Sequence, residues 1–561
     1  MSSSESTYET CLKSLAVNGN EEAPSTDALL QCITTTFDAQ INNTNDSIDA
    51  FFLLYAASLV FFMQAGFAML CAGCVRINNV QNTLLKNMLD ACGASLGFYT
   101  VGYAFAFGGS FDDEYGKSFI GSENFFLMGV ENDSFWLFQF AFCATSATIV
   151  AGTLAERCQM TAYLAYSIML SAFVYPVVVR SIWSKSGFLS AVAADPLWGV
   201  GMVDFAGSTV VHITGGMTAL IATMILGPRT GRFYDLRGKP LAEPKEMPGK
   251  CMCVPSFVLK CTFILWFGWY GFNSGSIISL SLQDNYLVLS HTAVNTTLSA
   301  AAGCIAALFL STIISERFTG EISFNLQYAM NGCLSGLVSV TASCSVVTSW
   351  AAIIIGFLGG MLYIGVSKLL VKRRIDDAVD AVPVHLASGI WGSIAAGLFA
   401  TPKWMEQVYD NPEAGLFYGG GHLLACQSVG VLFILATWAV EARFEPTGTV
   451  LKSEREGRIK WTNISQNMKR GREKECTYFR KIGKNNTLPA SSVHSRSLHG
   501  TSYHGRKITD IDSVNVERAV SKASNSLDEA HGVEAGSPFT VGSSPLAPRR
   551  ANSNGDSGDG V

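Results

Sequence analysis

Between about residues 50 and 440 the chain alternates long apolar runs with short polar intervals, and it is polar on both sides of that region. A helix crosses the hydrocarbon core of a membrane with about 20 mostly apolar residues. Eleven stretches meet that length: 50–74, 84–109, 135–155, 161–183, 203–227, 254–280, 292–314, 327–345, 349–371, 384–401 and 417–440. The pattern predicts an all-α polytopic membrane protein with eleven transmembrane helices within residues 49–440. Residues 1–48 read as a polar extracellular segment. Residues 441–561, rich in Ser, Gly, Asn and charges and without hydrophobic period, read as a cytoplasmic, mostly disordered tail.

Composition supports this reading. The chain is 49% hydrophobic and 15% charged, against about 25% charged in soluble domains. Its 53 glycines are dispersed, which suits membrane helices that approach closely through small residues. The polar start lacks the pattern of a secretory leader, so the first span is expected to act as the insertion signal. The cysteines include no pair at metal-binding spacing, and there is no Walker loop or dinucleotide fingerprint. No metal, cofactor or nucleic-acid partner is expected, and the partner implied for the whole domain is the lipid bilayer.

Loop charges set an orientation. Arg229, Arg232, Arg237, Lys239, Lys245 and Lys250 follow the fifth span, and Lys368, Lys372, Arg373 and Arg374 cluster at the end of the ninth. Asp112, Asp113, Glu114, Glu123, Glu131 and Asp133 follow the second span, and Glu406, Asp410 and Glu413 the tenth. The positive-inside rule then places the N-terminus outside and the C-terminus in the cytosol. The sequons at Asn42, Asn45 and Asn132 would face outside, as candidate glycosylation sites. Spans one to five and six to ten form two five-helix halves of opposite orientation, with one helix added. That is the pattern of an inverted repeat with its site at the repeat interface. A basic stretch at Lys469, Arg470, Arg472, Lys474, Arg480, Lys481 and Lys484 reads as a solvated flank of the membrane, with anionic lipid as the alternative contact.

Two stretches at matching positions of the halves carry the chemistry: Asp204-Phe-Ala-Gly-Ser-Thr-Val-Val-His212 in span five and Asp380-Ala-Val-Pro-Val-His385 at span ten. An ionisable side chain at membrane depth is costly and is a functional candidate by default. The plain alternative, a lone histidine satisfied by a carbonyl, is weaker for a matched pair. Neutral imidazole has one donor and one acceptor nitrogen, and it suits reversible proton transfer. Asp204 and Asp380 open their helical stretches and are expected to cap them. Asp204 is also expected to favour a cation at a distance. Aromatic stripes run through spans three and six. Most such stripes pack, but Phe142 and Phe272 fall in opposite halves and as paired rings would close a narrow pore. Lys86 and Asp90 have the spacing of a local ion pair, and Glu156-Arg157 reads as structural.

These motifs resemble the ammonium transporter family, Amt/Mep/Rh, on its Amt side. The resemblance rests on Asp204 to His212, on Trp266-Phe-Gly-Trp-Tyr-Gly-Phe-Asn-Ser-Gly-Ser276, and on Asp376-Asp-Ala-Val-Asp-Ala-Val-Pro-Val-His385. Met63 to Arg76, Ala155-Glu-Arg157 and Thr292-Ala-Val-Asn-Thr-Thr297 look most like plant and algal high-affinity members. The resemblance spans about residues 25–440. It implies a homotrimer of the plasma membrane with one path per subunit for ammonium or ammonia, methylammonium serving as analogue. It implies that Phe138, Trp183 and Ser276 recruit ammonium, with Asp204 needed for that recruitment. Phe142 and Phe272 would match the gate, and His212 and His385 the twin pore histidines. Cys11 and Cys32 match N-terminal cysteines thought to brace the trimer, and a bridge outside the cell is chemically allowed.

Two departures stand out. The last helix meets the polar run Glu-Ala-Arg-Phe-Glu-Pro at 441–446, and the family's usual gating tail is not visible. The expected function is electrogenic uptake: ammonium deprotonates at the mouth, ammonia crosses the apolar section, and the histidines carry the proton. An electroneutral ammonia channel and an ammonium sensor with little flux are the alternatives. An intramembrane enzyme ranks below them, since the spans offer no nucleophile or metal ligands.

Overall fold

The computed structural model describes residues 7–16, 25–109, 116–235, 237–245 and 254–441. Asp112, Asp113, Glu114, Lys250 and everything from 442 onward lie outside the described residues. That places the tail, its basic stretch and the run after Glu441 beyond structural description.

The described chain is helical, and no β-sheet occurs among these residues. The principal helices are α1 (Thr7–Ala16), α2 (Thr26–Cys74), α3 (80–107), α4 (Asp133–Thr153), α5 (Met160–Trp183) and α6 (Ser208–Leu226). There follow α7 (Val254–Gly275), α8 (Asn285–Thr319), α9 (Leu326–Val340), α10 (Ser349–Lys372), α11 (Val382–Phe399), α12 (Pro402–Tyr409) and α13 (His422–Glu441). A helix lies at each of the eleven predicted stretches. Seven of them, α2, α4, α5, α6, α8, α10 and α11, are long and apolar enough to cross a membrane.

Local chemistry sets the helix ends. Asn132 caps α4 by accepting the Phe135 N–H at 2.9 Å, and Asn325 caps α9 by accepting from Gln327 at 2.9 Å. Both fill hydrogen bonds that a helix leaves open in its first turn. Gly320, at φ 74°, ends α8 in the left-handed conformation that glycine adopts without strain.

The N-terminal segment, read as polar, is largely helical where it is described. Ser25 caps α2 through the Ala28 N–H, and the helix then runs unbroken from Thr26 to Cys74. At 1.5 Å per residue, the part before residue 50 adds about 36 Å to the apolar span. A disulfide between Cys11 and Cys32 ties α1 to this extension. Asn42 is exposed and Asn45 half-buried on it, whereas the Asn132 side chain is engaged in its cap.

Lipid tails give no hydrophobic drive for one helix to join another, so close backbone packing and polar contacts hold the bundle. At the crossing of α8 and α10, a Cβ added to Gly360 would lie 2.3 Å from the Gly303 carbonyl. Only glycine lets these backbones meet. A polar clasp joins the ends of α4 and α6 to the start of α11. Asp376 accepts from Arg229 Nε at 2.9 Å and Nη2 at 3.0 Å, and Arg157 Nη1 lies 3.4 Å away. Arg157 also donates to the Gly227 carbonyl at 2.7 Å and to the carbonyls of Thr153 and Asp376. Its neighbour Glu156 binds the Arg76 backbone N–H at 2.6 Å and the Arg76 guanidinium.

Lys86 and Asp90, read as a local pair, each also reach a partner elsewhere in the chain. The Lys86 ammonium reaches the Cys158 carbonyl, and Asp90 accepts from the Tyr163 hydroxyl. Both side chains are buried.

Burial alone would push the Asp376 carboxyl up, but hydrogen bonds from Arg229 and the charges of Arg229 and Arg157 outweigh it. The group is held below its ordinary value. The clasp therefore contributes fully above the unfolded carboxylate pKa of about 3.9. It is lost only as pH falls through the lower folded value. Asp376→Ala leaves buried guanidinium groups uncompensated, at an expected cost of about 3–5 kcal/mol. Thermal unfolding in detergent reads this directly, and a midpoint equal to wild type would show that the clasp does not stabilise the fold.

Candidate functional site

The site begins where α5 ends. Trp183 donates its indole N–H to the Asp204 carbonyl at 2.6 Å, which fixes the ring. Beside it Phe138 is buried, its centroid 4.7 Å from Phe142. Ser276 follows α7, and its hydroxyl donates to the Phe272 carbonyl at 2.9 Å, leaving the oxygen lone pairs free to accept.

Below this mouth Phe142 and Phe272 stack face to face, with centroids 4.1 Å apart and planes 19° apart. Trp183 meets Phe142 edge-on at 5.7 Å. The stack continues to the first histidine: His212 lies 5.5 Å from Phe272 and 5.2 Å from Trp269, nearly parallel to the latter. Trp269 is itself held by a 3.0 Å hydrogen bond to the Thr341 hydroxyl. It sits within the aromatic stripe of span six, and only the tertiary stack reveals its contact with His212.

His212 and His385 face each other with their Nδ1 atoms 3.1 Å apart. One Nδ1 donates and the other accepts, so the two neutral rings hold opposite tautomers. Both are buried, and His212 Nε2 has no hydrogen-bond partner. Each histidine sits in a π-helical turn that opens its helix, Ser208–Ile213 in α6 and Val382–Ala387 in α11. Such wide turns occur often at functional positions, and hydrophobic periodicity does not reveal them.

The caps of these turns differ from expectation at one end. Asp204 accepts from the backbone N–H groups of Gly207 at 3.2 Å, Thr209 at 2.9 Å and Val210 at 2.8 Å, as a cap should. Asp380 is not the cap of α11. Its carboxylate accepts from the hydroxyls of Tyr363 at 2.9 Å and Ser367 at 3.1 Å and from the Asn331 amide at 3.4 Å. Asp377 takes the capping role, accepting from the Val382 N–H at 2.7 Å. The sequence held a signal for this. Asp377 precedes His385 by eight positions, as Asp204 precedes His212, whereas Asp380 precedes it by five.

Past His385 lies a small void of about 10 Å³, lined by Phe67, Leu70, Cys71 and Asn331 among others, enough for about one water-sized molecule. Leu70 also borders a larger cavity of about 520 Å³ whose wall includes Arg229, Arg232, Tyr328, Lys368, Asp377 and Asp380. The arrangement thus runs from an aromatic mouth, through a ring stack and an imidazole pair, to a charged cavity. An apolar passage of this kind disfavours a bare cation, which loses its hydration, far more than a small neutral molecule. Among the described residues no group of three or more His, Cys, Asp or Glu side chains is arranged to hold a metal.

Comparison with known proteins gives a consistent result. The profile described as Ammonium Transporter Family matches residues 51–444. Ammonium transporter 1 member 3 of Solanum lycopersicum is 39% identical over 413 residues, covering 71% of this chain and 85% of that protein. Ammonium transporter 1 member 3 of Oryza sativa subsp. japonica is 42% identical over 440 residues, covering 76% and 84%. Among solved structures, one described as a Sensor Amt Protein superimposes with a TM-score of 0.60 at 29% identity, covering 75% of this chain and 95% of that one.

The cap at Asp204 can be tested apart from any activity. Asp204→Ala leaves three buried N–H groups without acceptor, at an expected cost of about 2 kcal/mol. Asp204→Asn keeps an acceptor and should cost less. Unfolding in detergent ranks the two, and equal losses would show that capping is not what Asp204 does for stability.

Proposed function

The chain belongs to the ammonium transporter family, and on that premise we propose that it carries ammonium across the plasma membrane by the route from Trp183 to His385. In this reading it spans the bilayer eleven times as two inverted five-helix halves and a final helix. The N-terminus is outside, the C-terminus is in the cytosol, and three copies assemble with one path each. Asn42, Asn45 and Asn132 then face outside as glycan acceptors, and the bond between Cys11 and Cys32 braces the extracellular extension.

The observation that carries the reading is the imidazole pair 3.1 Å apart at the foot of an aromatic stack. Ammonium at the mouth meets the ring faces of Phe138 and Trp183, each cation–π contact contributing about 0.5–2 kcal/mol. Ser276 Oγ accepts one of its N–H bonds, because the hydroxyl proton is already committed to Phe272. The Trp183 N–H is likewise committed, so the indole offers its face without a competing donor. The Asp204 charge favours the cation from behind the backbone groups that it holds.

Crossing the Phe142–Phe272 stack requires the substrate to shed its water, and the neutral form crosses at least cost. The proton then has a separate route. His212 Nε2 accepts it, the Nδ1 proton moves across the 3.1 Å contact to His385, and His385 Nε2 releases it. Each passage swaps the two tautomers, which must reset before the next. One ammonia and one proton cross per cycle, so one positive charge moves and membrane potential contributes about 2.3 kcal/mol per 100 mV. Only N–H bonds are broken and remade, and the chain acts as a transporter.

A second reading, an ammonium sensor with little flux, is favoured by the likeness to the structure described as a Sensor Amt Protein. Flux separates the two. Oocytes expressing the chain are expected to show a saturating inward current on addition of ammonium. His212→Ala should lower it at least about tenfold, since a positioned proton carrier contributes about 10²–10⁴-fold. Phe272→Ala, which removes the ring shared by both stacks, should change its ion selectivity. Labelled methylammonium uptake without current would establish electroneutral conduction instead. Neither uptake nor current, with the protein at the cell surface, would overturn transport and leave the sensor.

A further inference from the structure

α9 ends against both of the helices that bring a histidine into the site. Its last residues and those that follow, 337–342, receive the loop that leads into the His212 turn. The Phe205 N–H donates to the Ala342 carbonyl and the Ala206 N–H to the Thr341 carbonyl, each at 3.1 Å. Ser208, the first residue of that turn, donates its hydroxyl proton to the Val338 carbonyl at 2.7 Å and accepts the Ala342 N–H at 2.8 Å. On α11, a Cβ added to Gly392 would lie 2.5 Å from the Ser339 carbonyl oxygen and 2.8 Å from the Ser208 hydroxyl. Both histidine helices thus meet the end of α9.

One side chain of this segment reaches the ring of His212 through another. Thr341 is fully buried, and its hydroxyl proton is committed to the Leu337 carbonyl at 2.7 Å. A hydroxyl that donates in this way still has lone pairs with which to accept. Trp269 donates its indole N–H there at 3.0 Å. Trp269 is also fully buried, so turning the ring away would leave a buried donor unpaired, which is costly. The indole lies 5.2 Å from the His212 ring, with 13° between the planes. His212 depends on that face. Its Nε2 has no hydrogen-bond partner, and its Nδ1 meets only the other imidazole, at 3.1 Å.

Resting on the transport reading above, we propose that Thr341 is a positioning residue for the proton route: its hydroxyl holds the Trp269 indole, and the indole face holds His212 in register with His385. Reacting groups work only within about 0.5 Å and 10–20° of their productive geometry. Valine in place of Thr341 keeps the shape of the side chain and gives up the acceptor. The indole is then free to tilt, and His212 with it. The ammonium N–H bond still breaks at the mouth, but the proton returns to the outer water instead of passing along the imidazole pair. Ammonia continues to cross without its charge. Nothing is oxidised or reduced.

The test measures current and labelled methylammonium uptake in the same voltage-clamped oocytes, and reads the charge moved per molecule taken up. Poor folding or delivery lowers current and uptake together and leaves that ratio unchanged. Thr341→Val should lower the ratio at least about threefold, since a misplacement of about 1 Å can cost a reacting group about 10²-fold. Thr341→Ser keeps the hydroxyl and should restore most of the wild-type ratio. Trp269→Phe removes the donor instead of the acceptor and should also lower it. Adding Thr341→Val to Trp269→Phe should then lower it no further, because the two residues act through one contact. If the Val variant fails to reach the membrane, Thr341→Ala takes its place. An unchanged ratio in the Val variant, no recovery with Ser, or a further fall in the double variant overturns the proposal while transport itself stands. Wild-type uptake without current overturns it by removing the proton route. Absence of both uptake and current in wild type overturns the transport reading and this inference with it.

Discussion

Two imidazoles meeting edge to edge in an apolar interior set the terms for the rest of the structure. A polar atom without water needs a partner, and here each Nδ1 is the partner of the other at 3.1 Å. That contact fixes both ring planes. The aromatic neighbours then have little freedom: Trp269 lies parallel to His212, Phe272 lies above it, and Phe142 stacks on Phe272. The ring stack and the imidazole pair form one continuous element, and the mouth is built on its upper end.

Holding that pair together falls to the starts of two helices that enter from opposite sides. The π-helical turns bring His212 and His385 to the same depth, and a carboxylate behind each turn occupies the backbone N–H groups that the turn leaves open. Helix packing in lipid has no hydrophobic drive, so polar clasps take a larger share. The Asp376 clasp anchors the start of α11 to the ends of α4 and α6, the helices that bear Phe142 and His212. Breaking it would loosen the start of α11 and leave the end of α5 braced by Trp183 on the Asp204 carbonyl.

The mouth and the cavity beyond His385 contrast in how their polar atoms are spent. At the upper end of the stack, the Trp183 N–H and the Ser276 hydroxyl proton are consumed by backbone carbonyls. Around the cavity, Arg229 pairs with Asp376, and Asp380 is held by Tyr363, Ser367 and Asn331.

Helix positions and the paired histidines were legible in the sequence because both are local properties. A helix lies at each apolar run, seven of them among the described residues long and apolar enough to span, and an ionisable ring within such a run marks itself. The family was legible too, since its motifs are long and ordered. What the sequence did not disclose was which partner each buried polar group would find. Asp380 looked like a cap but is drawn to Tyr363 and Ser367 across the helix packing, and Asp377 caps instead. Lys86 and Asp90 looked like a local pair, and nothing along the chain announced that Lys86 also reaches the Cys158 carbonyl or that Asp90 accepts from the Tyr163 hydroxyl. Residues 26–49 looked like a polar lead-in, and continuity with the apolar span made them helix. The sequence by itself located the apolar helices and the two histidines within them, because these depend on neighbours along the chain. Only the tertiary structure decided how those side chains are paired, because a buried donor binds whichever acceptor folding brings within reach, from any distance along the chain.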